Sequence, residues 1–349
     1  MKIRSLLLVL CLFLNQASYA QWVNIPLQTK ASFRAIRSHK NQIWIGGTQG
    51  TVVYSLDKGM TWHEQQVPTA EKLDFRDLAV INKQRILLMS AGPADKGAAK
   101  LFLSKDQGQT WNLLFEKKSG PYFFDAIAWN YKKHEGVMLS DPMNGQFPLF
   151  KIKANREQVE DIQITSFPTL LAREAAFAAS GSSLLWINRK LNIVTGGSAQ
   201  ARILQSQDET LTKFQSMSQS TPADSSSGFF SIGARNKSHY WVVGGNYLHL
   251  NENKIGILES RDAGLTWENL KDYPKFYMEK AIWTGKYWVV VGPSQSAAYE
   301  PKSKKWISLG ETHFHNIILY NKQLIAVGSK GTLSKMSLAE LDLLFLPKK

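Results

Sequence analysis

Residues 55–62 read SLDKGMTW, 104–111 read SKDQGQTW and 260–267 read SRDAGLTW. Each is Ser-x-Asp-x-Gly-x-Thr-Trp, and three copies exceed chance. The chemistry of the repeat is local. Aspartate and the Ser and Thr hydroxyls bond nearby backbone groups, glycine takes a positive φ, and tryptophan offers apolar surface to a sheet. The positions are Ser55, Asp57, Gly59 and Trp62, then Ser104, Asp106, Gly108 and Trp111, then Ser260, Asp262, Gly264 and Trp267. The unit is a hairpin, so its recurrence describes construction before it describes function.

Weaker copies fill the gaps. Residues 152–159 keep the spacing, Ser206 and Asp208 keep the first half with Phe214 near the Trp position, and residues 299–306 keep the final Trp306. The period is about 40–55 residues, that of a four-stranded propeller blade. A second signal runs beside it. Seven short apolar runs stop at turn residues: 42–47, 85–93, 136–142, 191–197, 240–247, 287–294 and 323–331. They have strand composition and length. Upstream lie strands that open on an aromatic: SFRAI (32–36), DFRDL (74–78), FFDAI (123–127), FFSI (229–232), YMEKAI (277–282) and HFHNI (313–317), with the fourth expected near 174–179. The sum is an all-β, seven-bladed β-propeller with box hairpins, one domain over residues 21–349. The seventh blade lacks an outer strand. Trp22 precedes SFRAI as Trp62 precedes DFRDL, so residues 22–27 of the mature N-terminus should supply that strand and close the ring.

The chain begins as a signal peptide over residues 1–20. Lys2 and Arg4 precede an apolar run over 6–14, and Ser18, Tyr19 and Ala20 form a small-residue cleavage site. The run is too short to span a bilayer. A lipoprotein anchor at Cys11 is the rival reading, against which Leu10 is bulky. Cleavage after Ala20 removes the only cysteine, which suits a periplasmic or secreted protein without disulfides. It also takes the formal net charge of +14 to about +12, a balance that favours anionic partners or simply a solvated basic surface. No basic run interleaved with aromatics indicates nucleic acid.

The mature chain resembles the exported propellers related to the photosystem II stability/assembly factor, within the sialidase-like superfamily of BNR or Asp-box repeats. The residues that carry the resemblance are F-R-A-I at 33–36, F-R-D-L at 75–78, S-A-G-P at 90–93, L-S-D-P at 139–142, E-A-A-F at 174–177 and V-G-G-N-Y at 243–247. The resemblance implies a non-enzymatic assembly factor that binds protein. Relatives labelled glycosyl hydrolase or oxidoreductase lack an evident catalytic basis.

In a propeller the innermost strand begins on the face where the second strand ends. The polar residue after each inner aromatic should therefore line one mouth of the channel: Arg34, Arg76, Asp125, Ser231, Glu279 and His315, with Glu174 for blade four. Adjacent turns add Ser90, Asp141, Asn246, Tyr247 and Ser294. The ligand-binding candidates are thus Arg34, Arg76, Asp125, Asp141, Tyr247, Glu279 and His315. Paired guanidiniums suit a carboxylate or phosphate. Two readings stand side by side, a ligand-facing set or an internal network in which Arg34 or Arg76 bridges Asp125.

A sialidase-like glycoside hydrolase is the enzymatic alternative, with Asp125, Asp141 or Glu174 as its carboxylates. Against it, no F-R-I-P signature follows Arg34 and no glutamate is assigned to Tyr247. His313 and His315 would share one side of a strand, but two histidines fall short of a metal site. There is no nucleophile elbow, P-loop or dinucleotide fingerprint. The expected protein is a monomer binding a protein, peptide or anionic glycan in the cell envelope, with no catalytic residues, cofactor, metal, nucleic acid or transmembrane span. The loops over 91–100 and 292–298 should rim the mouth. Residues 216–228 read as a polar linker, and the apolar tail 337–349 either packs on the last blade or docks a partner.

Overall fold

The computed structural model describes residues 22–347. Residues 1–21, which include Cys11 and the expected signal peptide, and the terminal Lys348 and Lys349 lie outside the described residues. Seven four-stranded antiparallel sheets surround a central channel. Their innermost strands are Phe33–His39, Asp74–Val80, Phe124–Asn130, Leu184–Ile187, Ser227–Ala234, Lys280–Trp283 and Phe314–Tyr320, which begin blades one to seven in chain order. The ring closes as the sequence predicts. Val23 and Asn24 pair antiparallel with Lys335 and Ser334, the third strand of blade seven, and the Ile25 N–H donates to the Leu333 carbonyl at 2.8 Å.

Each of the three clear boxes forms the same bonded turn between the third and fourth strands. The Ser55 hydroxyl accepts from the Gly59 N–H at 2.8 Å, and Asp57 accepts from the Thr61 N–H at 2.9 Å and from its hydroxyl at 2.5 Å. Those Thr61 bonds hold Asp57 well below the usual carboxylate range. Ser104 and Asp106 repeat the pattern with Gly108 and Thr110, as do Ser260 and Asp262 with Gly264 and Thr266. The glycines sit at φ of +84°, +84° and +86°, where a side chain is strained.

The hydrophobic core is divided among the interfaces between blades, one cluster to each. The box tryptophans contribute to these interfaces in one direction. Trp62 of blade one packs towards blade seven, Trp111 of blade two towards blade one, and Trp267 of blade five towards blade four. Val159, Phe214 and Trp306 do the same from the degenerate boxes. Trp22, on the strand that closes blade seven, packs towards blade six with its ring 4.7 Å from that of Phe314. It therefore occupies the box position of a blade that has no box of its own.

Three expectations need correction. The innermost strand of blade four is Leu184–Ile187, not the stretch 174–179, because Glu174 is drawn aside into an ion pair with Arg202 before the chain reaches the sheet. Residues 216–228 are not a linker. Phe214–Pro222 is the outer strand of blade four and Ser227–Ala234 opens blade five, so the stretch is mostly sheet. Most of 292–298 belongs to the third strand of blade six, Gln295–Glu300. The tail packs. Ser337 and Glu340 form a capping box for the helix Leu338–Leu344, Leu341 is fully buried, and Phe345 stacks on Tyr287.

Trp22→Ala should lower the unfolding free energy by about 2–4 kcal/mol, as for the loss of a large packed side chain. Urea denaturation measures it. An unchanged midpoint would mean that the ring closes without this contact.

Candidate ligand-binding mouth

The innermost strands carry a β-bulge at the same place in blade after blade. Pairing with the second strand slips between Phe33 and Ala35, Phe75 and Asp77, Phe124 and Ala126, Phe229 and Ser231, and Phe314 and Asn316. The residue skipped is Arg34, Arg76, Asp125, Phe230 or His315. In blade six, Glu279 precedes the strand and donates its N–H to Val291, which also opposes Lys280. A bulge re-aims a side chain, and these six line one cavity of about 690 Å³ at the channel mouth. Ser231 is therefore off by one residue. Phe230 holds its place in the ring, while the Ser231 hydroxyl lies deeper and accepts from the Ala281 N–H at 3.2 Å.

Blade four has no such bulge, since its chain arrives across the axis. The Ser180 hydroxyl donates to the Glu279 carbonyl at 2.7 Å, and the Ser180 carbonyl accepts from Asn316 at 2.8 Å. The Gly181 carbonyl accepts from Arg37 at 2.9 Å, and the Ser182 carbonyl from the Ile232 N–H at 2.9 Å. Gly181 lies against the fully buried Asp77 at φ +62°, and a Cβ there would strike the Asp77 carboxyl. Five blades thus grip three residues, which divide the channel into two cups. Asp77 itself accepts from the N–H groups of Leu78 and Ile127 and pairs with Arg37 at 2.7 Å.

Arg34 and Arg76 have different partners from those expected. Neither bridges Asp125. Arg34 pairs with Glu279 at 3.2 Å across the mouth, and Arg76 pairs with Asp74 on its own strand at 2.7 Å. Burial opposes the Glu279 charge, yet His315 and Arg34, with hydrogen bonds from His315 and Tyr277, hold its carboxyl below the ordinary value. The His315 imidazole spans Glu279 at 2.7 Å and Ser329 at 2.8 Å. His313 lies apart from it, with Nδ1 3.2 Å from the Pro293 carbonyl. Among the described residues no group of three His, Cys, Asp or Glu side chains could hold a metal ion.

Asp125 and Asp141 are brought together. Both Asp125 oxygens and one of Asp141 are buried without a hydrogen-bond partner. Burial, then the neighbouring Asp141, pushes Asp125 well up against the pull of Arg76. Burial pushes Asp141 up to about 6, with a backbone bond from Ala176 opposing. Burial and the proximity of two carboxyls both favour the protonated form here. Glu174 does not line this cavity. It is buried beneath blade four, bound by Arg202 at 2.5 Å and by the Thr195 hydroxyl at 2.7 Å. Of the turn residues, Tyr247 lines the mouth. Ser90 turns to the Ala98 carbonyl, Asn246 to Asp224 and Ser294 to the Leu250 carbonyl.

The cavity also holds residues that sequence patterning missed. Arg173 is exposed at the rim and forms no ion pair among the described residues. Phe177 stacks on Phe230 with centroids 4.0 Å apart, and Tyr277 meets Phe230 edge-on at 4.7 Å. With Tyr247 they make an aromatic shelf beside the arginines. Phe230 was legible as the second half of an aromatic pair, but Arg173 and Phe177 belong to the crossing segment and follow no repeat.

No family model matches the chain, and no curated protein matches it in sequence. Solved structures share its fold. One described as YCF48 bound to D1 peptide superposes with a TM-score of 0.65 at 14% identity, over 92% of this chain and 98% of that one. YCF48 from Cyanidioschyzon merolae gives 0.63 at 13% identity, over 92% and 99%. The computationally designed Ika8 protein gives 0.56 at 8%, over 90% and 99%. The likeness is one of fold. Among the described residues no helix is long and apolar enough to cross a membrane.

Asp141 holds its proton longer when folded than at its ordinary value of 3.8. The stability it confers is present below about pH 4 and lost as pH rises through about 6. Asp141→Asn should therefore gain on the native protein across that window, on the order of 3 kcal/mol by pH 7. Thermal melts at stepped pH read the difference, and parallel curves would overturn the raised Asp141 value.

Proposed function

We propose that the protein is a binding module that takes a carboxylate-bearing peptide segment of an envelope protein at the bulge-lined mouth, without chemistry. One observation carries the reading. Arg76 and Arg173 stand partly open beside an aromatic shelf in a single concave cavity. A guanidinium fork suits a carboxylate, and stacked rings suit side chains or peptide planes. The similar fold described as holding a peptide agrees in kind. Exposed Tyr247 and Leu248 at the rim extend the surface outward. Export rests on the basic and apolar leader over residues 1–20.

The adjacent buried carboxyls of Asp125 and Asp141 favour a second reading, a glycoside hydrolase acting through two carboxyls. Asp125 is only 1% exposed, which keeps it from a sugar, so binding stands first. Turnover of any glycan that is lost in Asp141→Asn would reverse the order.

Immobilised residues 21–349 should retain a specific envelope protein from a detergent extract of the source organism. The Arg76→Ala/Arg173→Ala variant should lose it with stability lowered by no more than about 1 kcal/mol, since Arg173 is exposed and Arg76 makes a partly exposed ion pair with Asp74. Equal retention by the two columns would exclude the arginines. Arg34→Ala differs because it strips a buried Glu279 of one partner. It should cost about 2 kcal/mol in urea denaturation, below the ~3–5 typical of a fully buried pair, because His315 remains.

A further inference from the structure

The three residues on the axis leave a second cup on the opposite face, closed by Gly181 and Ser182 and enclosing about 480 Å³. It is built from the far ends of the innermost strands, and the peptide reading of the first mouth does not involve it. Two cations line it. Arg37 is accounted for, since it pairs with Asp77 at 2.7 Å and donates to the Gly181 carbonyl at 2.9 Å. Lys280 is not. Among the described residues its ammonium makes no ion pair and no side-chain hydrogen bond, although its backbone pairs with Val291 directly after Glu279. The cup thus holds two cations against one carboxylate.

The walls are apolar and aromatic. Trp129, Trp186 and Trp283 line them with Tyr131. The Arg235 guanidinium backs Trp283 at 4.5 Å from its ring centre. A volume of this size lies within the usual range for small-molecule sites, where apolar walls surround a few polar groups. When protonated, Lys280 adds one positive charge, which matches a monoanion. A dianionic phosphate would leave one of its charges unmatched. A carboxylate meets the ammonium in a charge-assisted bond, which strengthens where water is thin.

We propose that this cup binds a monocarboxylate with a ring-sized apolar body, the carboxylate on Lys280 and the body against the tryptophans. Protonation supports the geometry. Burial, then Arg37, pushes the Lys280 amine down to about 7, with Asp77 opposing. The titratable and charged groups facing it are Arg37, Asp77 and Tyr131, and burial raises the Tyr131 phenol so that it stays neutral. An arriving carboxylate would hold the proton on Lys280. Binding above pH 7 should therefore take up a proton, and affinity should fall as pH rises.

The probe is 3-phenylpropionate, titrated into residues 21–349 by calorimetry and followed by tryptophan fluorescence. We expect saturable quenching and proton uptake at pH 8, read from buffers of different ionisation heat. The neutral isostere 3-phenylpropanol should bind at least about tenfold more weakly, as should the acid to Lys280→Met. Should that variant misfold, the comparison of acid with alcohol and the proton uptake still decide, because both use the native chain. Absence of saturable binding, equal affinity for acid and alcohol, or undiminished binding to folded Lys280→Met would each overturn the assignment.

Discussion

A propeller has no single core, and everything in this molecule depends on how one blade adheres to the next. The side chain at the end of each box hairpin packs towards the preceding blade. Trp62, Trp111, Val159, Phe214, Trp267, Trp306 and Trp22 fill equivalent places at seven interfaces. Large aromatic surfaces suit this work because they bury much area with few rotatable bonds. The ring must close for all seven to be satisfied. That requirement brings the N-terminal strand beside the last blade and removes the sheet edge that would otherwise face solvent.

The bulges convert this rigid ring into a site. In an unbroken strand, neighbouring side chains point to opposite faces. The extra residue lets two successive side chains serve the axis at different depths. Arg76 lines the mouth while Asp77 lies below it against Gly181, and His315 meets Glu279 while Asn316 holds Ser180. Glu279 and Lys280 repeat the arrangement with opposite charges. The upper layer lines the mouth with charged and aromatic side chains. The lower layer fastens the crossing segment.

Buried charge near the axis is heavily compensated. Asp77 takes two backbone donors and Arg37, Glu279 takes Arg34 and His315, and Glu174 takes Arg202 and Thr195. Such networks cost desolvation, and their value lies in specifying one arrangement of the blades. A few groups in the two cavities stand outside this accounting. Arg173 is open on one face and Lys280 on the other, with the Asp125 and Asp141 pair resolving its conflict by protonation.

Local chemistry made the boxes, the strands and the blade count readable, because bonds such as Gly59 to Ser55 span only a few residues and leave a fixed pattern. Ring closure was readable too, since Trp22 repeats the place of Trp62 in the chain. The mouth was half readable. Arg34, Arg76, Asp125, Glu279 and His315 follow an aromatic in each repeat, but whether each pairs with a neighbour depends on blades far apart in the chain. Arg34 and Glu279 are 245 residues apart, and only closure of the ring brings them within 3.3 Å. The division of the channel was not readable at all. Ser180, Gly181 and Ser182 carry no motif, and their position is decided by hydrogen bonds from four blades and contact with Asp77 of a fifth, all converging on the axis. Sequence determined the repeating unit because its interactions are short in range. Tertiary structure decided the two cups because they exist only where all the units meet.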